Sequence, residues 1–325
     1  MDLRTKLYQM FILGTKGQNL EKALADGLGG VIFFTKDIED AEQFKNLVSR
    51  LKSVAKIPPF LSIDQEGGRV ERTENIYGGK KYLSAKFAFE RGKDFLKNQT
   101  EQIARELKSY GLNLNFAPCI DVNTNPNNPI IGERAFSSKT AEVIEAEEIV
   151  SKTYRKNGII PCVKHFPGHG DANADSHLTL PEIGMEFSEL EKYHILPFKK
   201  AVEGGIEMVM AAHLHVPYFE KENIPTSLSK NALDYLRNVL NFKGVIISDD
   251  MVMKGVARFG AEEACEMGIR AGLNMFIFRN SDEKIITMVD KLAQKAQNDV
   301  VLKNNIEKSY ELIINLKKEK EICKQ

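Results

Sequence analysis

Residues 159–171 read Ile159-Ile-Pro-Cys-Val-Lys164-His165-Phe-Pro-Gly-His169-Gly-Asp171. The run starts as a continuous apolar segment and ends in charged residues and glycines. An apolar run without alternation suits a strand buried on both faces, as in a parallel sheet. Functional groups in parallel α/β folds gather where such strands end. Similar runs lie at 10–14, 30–34, 60–64, 114–122, 207–212, 244–249 and 273–278.

Segments of helical period separate these runs. Phe44, Leu47, Val48, Leu51 and Val54 make one apolar stripe. Ile103, Leu107 and Tyr110 repeat the pattern, with Gly111 placed to end a helix. Ser229 and Ser281 are expected to cap helices over 233–240 and 285–292, and a last helix is expected over about 302–316. The alternation predicts an α/β fold, a TIM-type (β/α)8 barrel, with residues 1–325 as one domain. A doubly wound open sheet shares this alternation, which does not by itself show closure.

Composition excludes little. Lys plus Arg and Asp plus Glu both number 45, so no net field favours nucleic acid or an anionic membrane. No apolar run approaches the roughly 20 residues that span a bilayer. The N-terminal apolar stretch, 10–13, is shorter than a signal-peptide core, and a cytoplasmic location is the expectation. Cys119, Cys162, Cys265 and Cys323 are widely spaced and read as reduced thiols.

Polar residues cluster after strands three to seven: Asp64 to Arg72, Asp121 with Arg134, Lys164 to His177, His213, and Asp249-Asp250. One such residue is readily explained as a helix cap or a turn former. Their recurrence at successive strand ends argues for a site. Asp, Arg, Lys and His there offer donors and acceptors suited to a polyhydroxyl ligand. The absence of Trp favours a short pocket over a long aromatic cleft.

The stretch Lys164-His-Phe-Pro-Gly-His-Gly-Asp171-Ala-Asn-Ala-Asp175-Ser-His177-Leu-Thr-Leu-Pro181 resembles the family 3 glycoside hydrolases, in particular their single-domain bacterial β-N-acetylglucosaminidases. Ile63-Asp64-Gln-Glu-Gly-Gly-Arg69, Phe116-Ala-Pro-Cys-Ile-Asp121-Val and Ser248-Asp249-Asp250-Met-Val-Met-Lys-Gly255 support the likeness. The resemblance implies that Asp249 is the nucleophile, with Asp250 its rival, and that His177 paired with Asp175 is the acid/base. It also implies sugar binding by Asp64, Arg72, Arg134, Lys164 and His165. Arg69, Asp121 and His213 are expected to support the site, His169 and Asp171 to shape the loop, and His215 to be incidental.

The implied activity is retaining removal of terminal N-acetylglucosamine from muropeptide-derived sugars in peptidoglycan recycling. The implied substrate is N-acetylglucosaminyl-anhydro-N-acetylmuramic acid, with or without peptide. No cofactor or metal, and neither nucleic acid nor membrane as partner, is expected; oligomeric state stays open. Two other readings remain. A metal-dependent hydrolase would draw on His213-x-His215 with His165, His169 and Asp249; an inactive barrel would bind sugar without turnover. Within the hydrolase reading, a neutral His177 leaves room for phosphate as acceptor.

Overall fold

The computed structural model describes residues 1–172 and 180–323. Eight parallel strands close into a barrel in sequence order. They are β1 (Phe11–Lys16), β2 (Gly30–Phe33), β3 (Phe60–Ile63), β4 (Leu114–Asn115), β5 (Ile160–Phe166), β6 (Met208–Ala211), β7 (Val245–Asp250) and β8 (Met275–Asn280). Pairing of Phe11 with Phe276 and of Ile12 with Ile277 joins the last strand to the first. Closure removes the two edges that an open sheet would leave.

The helices lie around the barrel with apolar faces inward. In Ala41–Val54, Asp40 caps the N-terminus by accepting from the Glu42 and Gln43 N–H groups, and Phe44, Val48 and Leu51 are buried. Each such side chain contributes about 1.5–3 kcal/mol by leaving water. Gly111 follows the helix Lys93–Ser109 at φ +88°, and Ser229 accepts from the Ala232 N–H as the cap of Lys230–Asp234. No helix among the described residues is long and apolar enough to cross a membrane.

Three boundaries differ from the sequence expectation. The fourth strand is two residues long because Pro118 has no N–H for a ladder, although the chain touches β5 again where the Ile120 N–H donates to Lys164 O at 2.9 Å. Asn115 supplies side-chain bonding instead: Oδ1 accepts from the Gln65 N–H, and Nδ2 donates to Gln65 O. Ser281 does not cap the next helix; its N–H and hydroxyl both donate to Lys16 O, and Asp282 precedes Glu283–Gln297. The last helix is longer than expected, Val300–Glu319.

Candidate active site

A cavity of about 350 Å³ opens where the strands end. Ile32, Met210 and Ile277 floor it, and charged groups from β3, β5, β7 and β8 wall it. That the strands end here places loop-borne polar groups around one apolar floor.

Lys164 is almost fully buried, and its ammonium meets Asp64 Oδ1 at 2.7 Å and Glu66 Oε1 at 2.6 Å. Glu66 also accepts from Arg134 Nε and Nη2, both at 2.8 Å, a two-point pair across 68 residues of sequence. Burial alone would raise the Glu66 pKa, but Arg134 and Lys164 hold it well below the carboxylate range. Burial likewise opposes the Lys164 charge, and Asp64 and Glu66 outweigh it. Each buried ion costs several kcal/mol in lost hydration, so this cluster persists because its opposite charges are in contact.

Arg72 comes within 4.0 Å of Asp64 Oδ2, and its guanidinium lies 5.7 Å from the Phe34 ring centroid. Its Nε is buried without an acceptor among the described residues. Arg69 turns away from the cavity to the carbonyls of Pro129 and Ile131, near Arg134.

Asp121 organises the next strand end. Its Oδ1 accepts from the His165 and His169 N–H groups, and its Oδ2 lies 2.7 Å from His165 Nδ1. With a proton on Nδ1, the ring keeps Nε2 as its remaining polar atom, and His165 lines the cavity. Burial, then the neighbouring His165, lowers the His169 pKa to about 4. Cys119, Asp121 and His165 bring potential metal-ligand atoms within 4.8 Å of one another. Burial pushes the Cys119 thiol well up, however, and its S–H donates to Asp121 Oδ2 at 3.2 Å. The trio is a hydrogen-bonded unit with no ready thiolate.

The paired aspartates at the end of β7 differ in what they touch. Asp250 accepts from the Val252 and Arg279 N–H groups and forms an ion pair with the Arg279 guanidinium. It neither caps a helix, since Met253 precedes Lys254–Ala257, nor has a free carboxylate. Asp249 accepts only the Asp250 N–H, at 2.7 Å on Oδ1, so its Oδ2 has no hydrogen bond among the described residues. Burial would raise its pKa; His165, His213, the Asp250 N–H and Lys164 together lower it to about 2. Burial lowers the His213 pKa as well and favours its neutral ring.

His213 braces this strand end. Nδ1 sits 2.7 Å from the Ser227 hydroxyl and Nε2 3.2 Å from Asp250 O, a pattern satisfied by a neutral ring that donates to the carbonyl. His215 is held by Glu182 and Glu220 O. The His-x-His pair therefore serves two separate local networks, against the ligand pairing that the metal-hydrolase reading requires.

Asp175 and His177 lie outside the described residues. The chain leading to them is fastened to the loop after β4: Asn128 Nδ2 donates to His169 O, and Thr124 Oγ1 donates to Asp171 Oδ1. Gly170 is required there, because a Cβ would lie 1.7 Å from Val122 O. Beyond the stretch, the His215 N–H donates to Pro181 O at 2.8 Å.

The structure thus brings Asp64, Arg72, Arg134, Lys164, His165 and Asp249 to one cavity. Sequence reasoning missed Glu66 and Arg279. The signal for Glu66 was available: a lysine at the end of a strand buried on both faces needs an anionic partner, and Glu66 lies beside Asp64 in the same polar run.

Comparison with known proteins agrees with this geometry. Residues 2–316 match the glycosyl hydrolase family 3 N-terminal domain. A β-hexosaminidase of Tolumonas auensis is 32% identical over 269 residues, covering 82% of this chain and 79% of its own length. β-Hexosaminidase A of Pseudoalteromonas piscicida is 31% identical over 71% of the chain, which spans only 42% of that relative. A family 3 β-N-acetylglucosaminidase structure from Paenibacillus sp. str. FPU-7 superposes with a TM-score of 0.92 at 29% identity. It covers 99% of this chain, which spans 63% of that one. By its barrel, its cavity and a match along nearly its whole length, the chain belongs to glycosyl hydrolase family 3, a family of glycoside hydrolases.

Proposed function

We propose that the chain is a retaining exo-β-N-acetylglucosaminidase with Asp249 as nucleophile. The observation that carries this reading is the contrast between the two aspartates: Asp250 is fully engaged, while Asp249 is ionised, faces the cavity and keeps one oxygen unbonded among the described residues. A cavity of this size, closed below by Ile32, Met210 and Ile277, suits one terminal sugar. Asp64, Lys164, His165 and Arg72 supply donors and acceptors to its hydroxyls, and Arg134, gripped by Glu66, gives the wall a fixed donor edge.

In the first step an Asp249 oxygen bonds to the anomeric carbon as the glycosidic C–O bond breaks. The leaving oxygen takes that electron pair and a proton from His177, whose other ring nitrogen Asp175 orients. In the second step a water oxygen attacks the anomeric carbon, His177 takes the water proton, and Asp249 departs with its electron pair. Two displacements at one carbon give net retention. The names of the relatives support N-acetylglucosamine as the sugar released. The proposed natural substrate is N-acetylglucosaminyl-anhydro-N-acetylmuramic acid, with or without peptide, in cytoplasmic peptidoglycan recycling.

The test is turnover of 4-nitrophenyl N-acetyl-β-glucosaminide and of that disaccharide by wild type and His177→Ala. Loss in His177→Ala should be severe on the disaccharide and mild on the nitrophenyl substrate, whose leaving group needs little protonation. Equal losses on both would remove His177 as the acid; no turnover by wild type would remove the hydrolase reading.

A further inference from the structure

Arg279 lines the same cavity, yet the reaction above leaves it unused. On β8, Ile277 belongs to the cavity floor and Arg279, two residues on, takes the same face. The β1–β8 register shifts between Leu13 and Lys16, and Arg279 falls in that irregular stretch. Such irregularities re-aim side chains at barrel rims. Gly14 permits the close approach, since a Cβ there would lie 2.1 Å from Arg279 O.

Asp250 fixes the guanidinium by one edge, through Nε. Both Nη groups remain without an acceptor among the described residues, on a side chain that is 45% exposed. Lys164 is deeper and held by Asp64 and Glu66, Arg134 is deeper and held by Glu66, and Arg72, 28% exposed, lies less open to the rim with Asp64 4.0 Å away. A terminal sugar seated on the apolar floor would occupy the deep end, so a group at the exposed rim meets what the sugar is attached to. A guanidinium held by one edge presents its remaining donors in a plane, which matches the two oxygens of a carboxylate.

We infer that Arg279 is a specificity-determining residue that hydrogen-bonds a carboxylate on the leaving group. The inference rests on the hydrolase reading of the same cavity. Its test compares the 4-carboxyphenyl N-acetyl-β-glucosaminide with its neutral methyl ester. The readout is the acid-to-ester ratio of kcat/KM for wild type, Arg279→Lys and Arg279→Met. Any general loss of activity cancels in that ratio, and the difference in intrinsic leaving-group reactivity cancels when the ratios of two variants are compared.

The ratio should fall about tenfold in Arg279→Met and less in Arg279→Lys, which keeps the charge but not the fork. In wild type it should also shrink with added salt, a measurement that stands if a variant fails to fold. An unchanged ratio in Arg279→Met, or a salt-independent ratio in wild type, overturns the inference. If added phosphate speeds the ester in wild type but not in Arg279→Met, and the ratio does not move, Arg279 serves free phosphate and the leaving-group assignment is wrong. Turnover of neither compound by wild type would instead defeat the hydrolase reading, and this inference with it.

Discussion

The two ends of the barrel both bury charge, and they stabilise it in different ways. Where the strands end, Lys164, Arg134, Glu66 and Asp64 neutralise one another around a cavity. Where the strands begin, Lys317 of the last helix enters the barrel alone. Its ammonium donates to Gln9 Oε1 at 2.8 Å and to Gly29 O at 2.9 Å, 4.8 Å from the Phe60 ring centroid. Among the described residues no carboxylate answers it, and burial lowers its pKa to about 7. A cavity of about 390 Å³ also lies at this end, but there Glu207 is already bound by Arg155 and Lys320. Cavity size does not distinguish the ends. What the upper end has is Asp249, a carboxylate facing the cavity whose one hydrogen bond among the described residues comes from the Asp250 N–H, with no cation in contact.

Removal of the Asp249 carboxylate should have the largest effect. Asp249→Asn keeps the shape and should lower kcat by roughly 10⁴-fold or more, the scale on which removal of a nucleophile acts. Release of 4-nitrophenol measures it, and a loss of less than tenfold would place the chemistry elsewhere.

Glu66→Gln tests whether the upper cluster is a balanced unit. It leaves Lys164 with only Asp64 and Arg134 without its two-point partner, so stability should fall by about 3–5 kcal/mol. Urea unfolding would show this, and a change below about 1 kcal/mol would mean that the cluster relaxes freely.

The lower end should respond to pH instead. For Lys317 the folded pKa of about 7 lies below its ordinary 10.5, so the unfolded chain binds the proton more tightly between those values. The stability penalty is full below pH 7 and disappears as pH rises through 10.5. Relative to Lys317→Met, wild type should gain about 3–4 kcal/mol from pH 7 to 10. A flat difference would show that Gln9, Gly29 and Phe60 keep the ammonium at its ordinary pKa. Lys320→Ala, which leaves Glu207 with Arg155, should cost about 1 kcal/mol or less and spare kcat.

The fold was legible because buried parallel strands leave uninterrupted apolar runs, as at Val245–Asp250 and Ile160–Phe166. Closure was less legible. It depends on β8 meeting β1, a pairing across some 265 residues that alternation does not encode. The strand ends named most of the cavity residues, since their positions follow from the strands themselves. What escaped was pairing. Glu66 meets Arg134 across 68 residues and Lys164 across 98, and Arg279 meets Asp250 only because β7 and β8 are neighbours. Sequence spacing said nothing about which of Asp249 and Asp250 would be spent on a neighbour.

That last distinction is best tested by trapping the covalent intermediate. Incubation with 5-fluoro-N-acetyl-β-glucosaminyl fluoride, followed by intact mass and peptide mapping, should show one added glycosyl group on Asp249. A label on Asp250, or turnover with inversion and no adduct, would contradict the account.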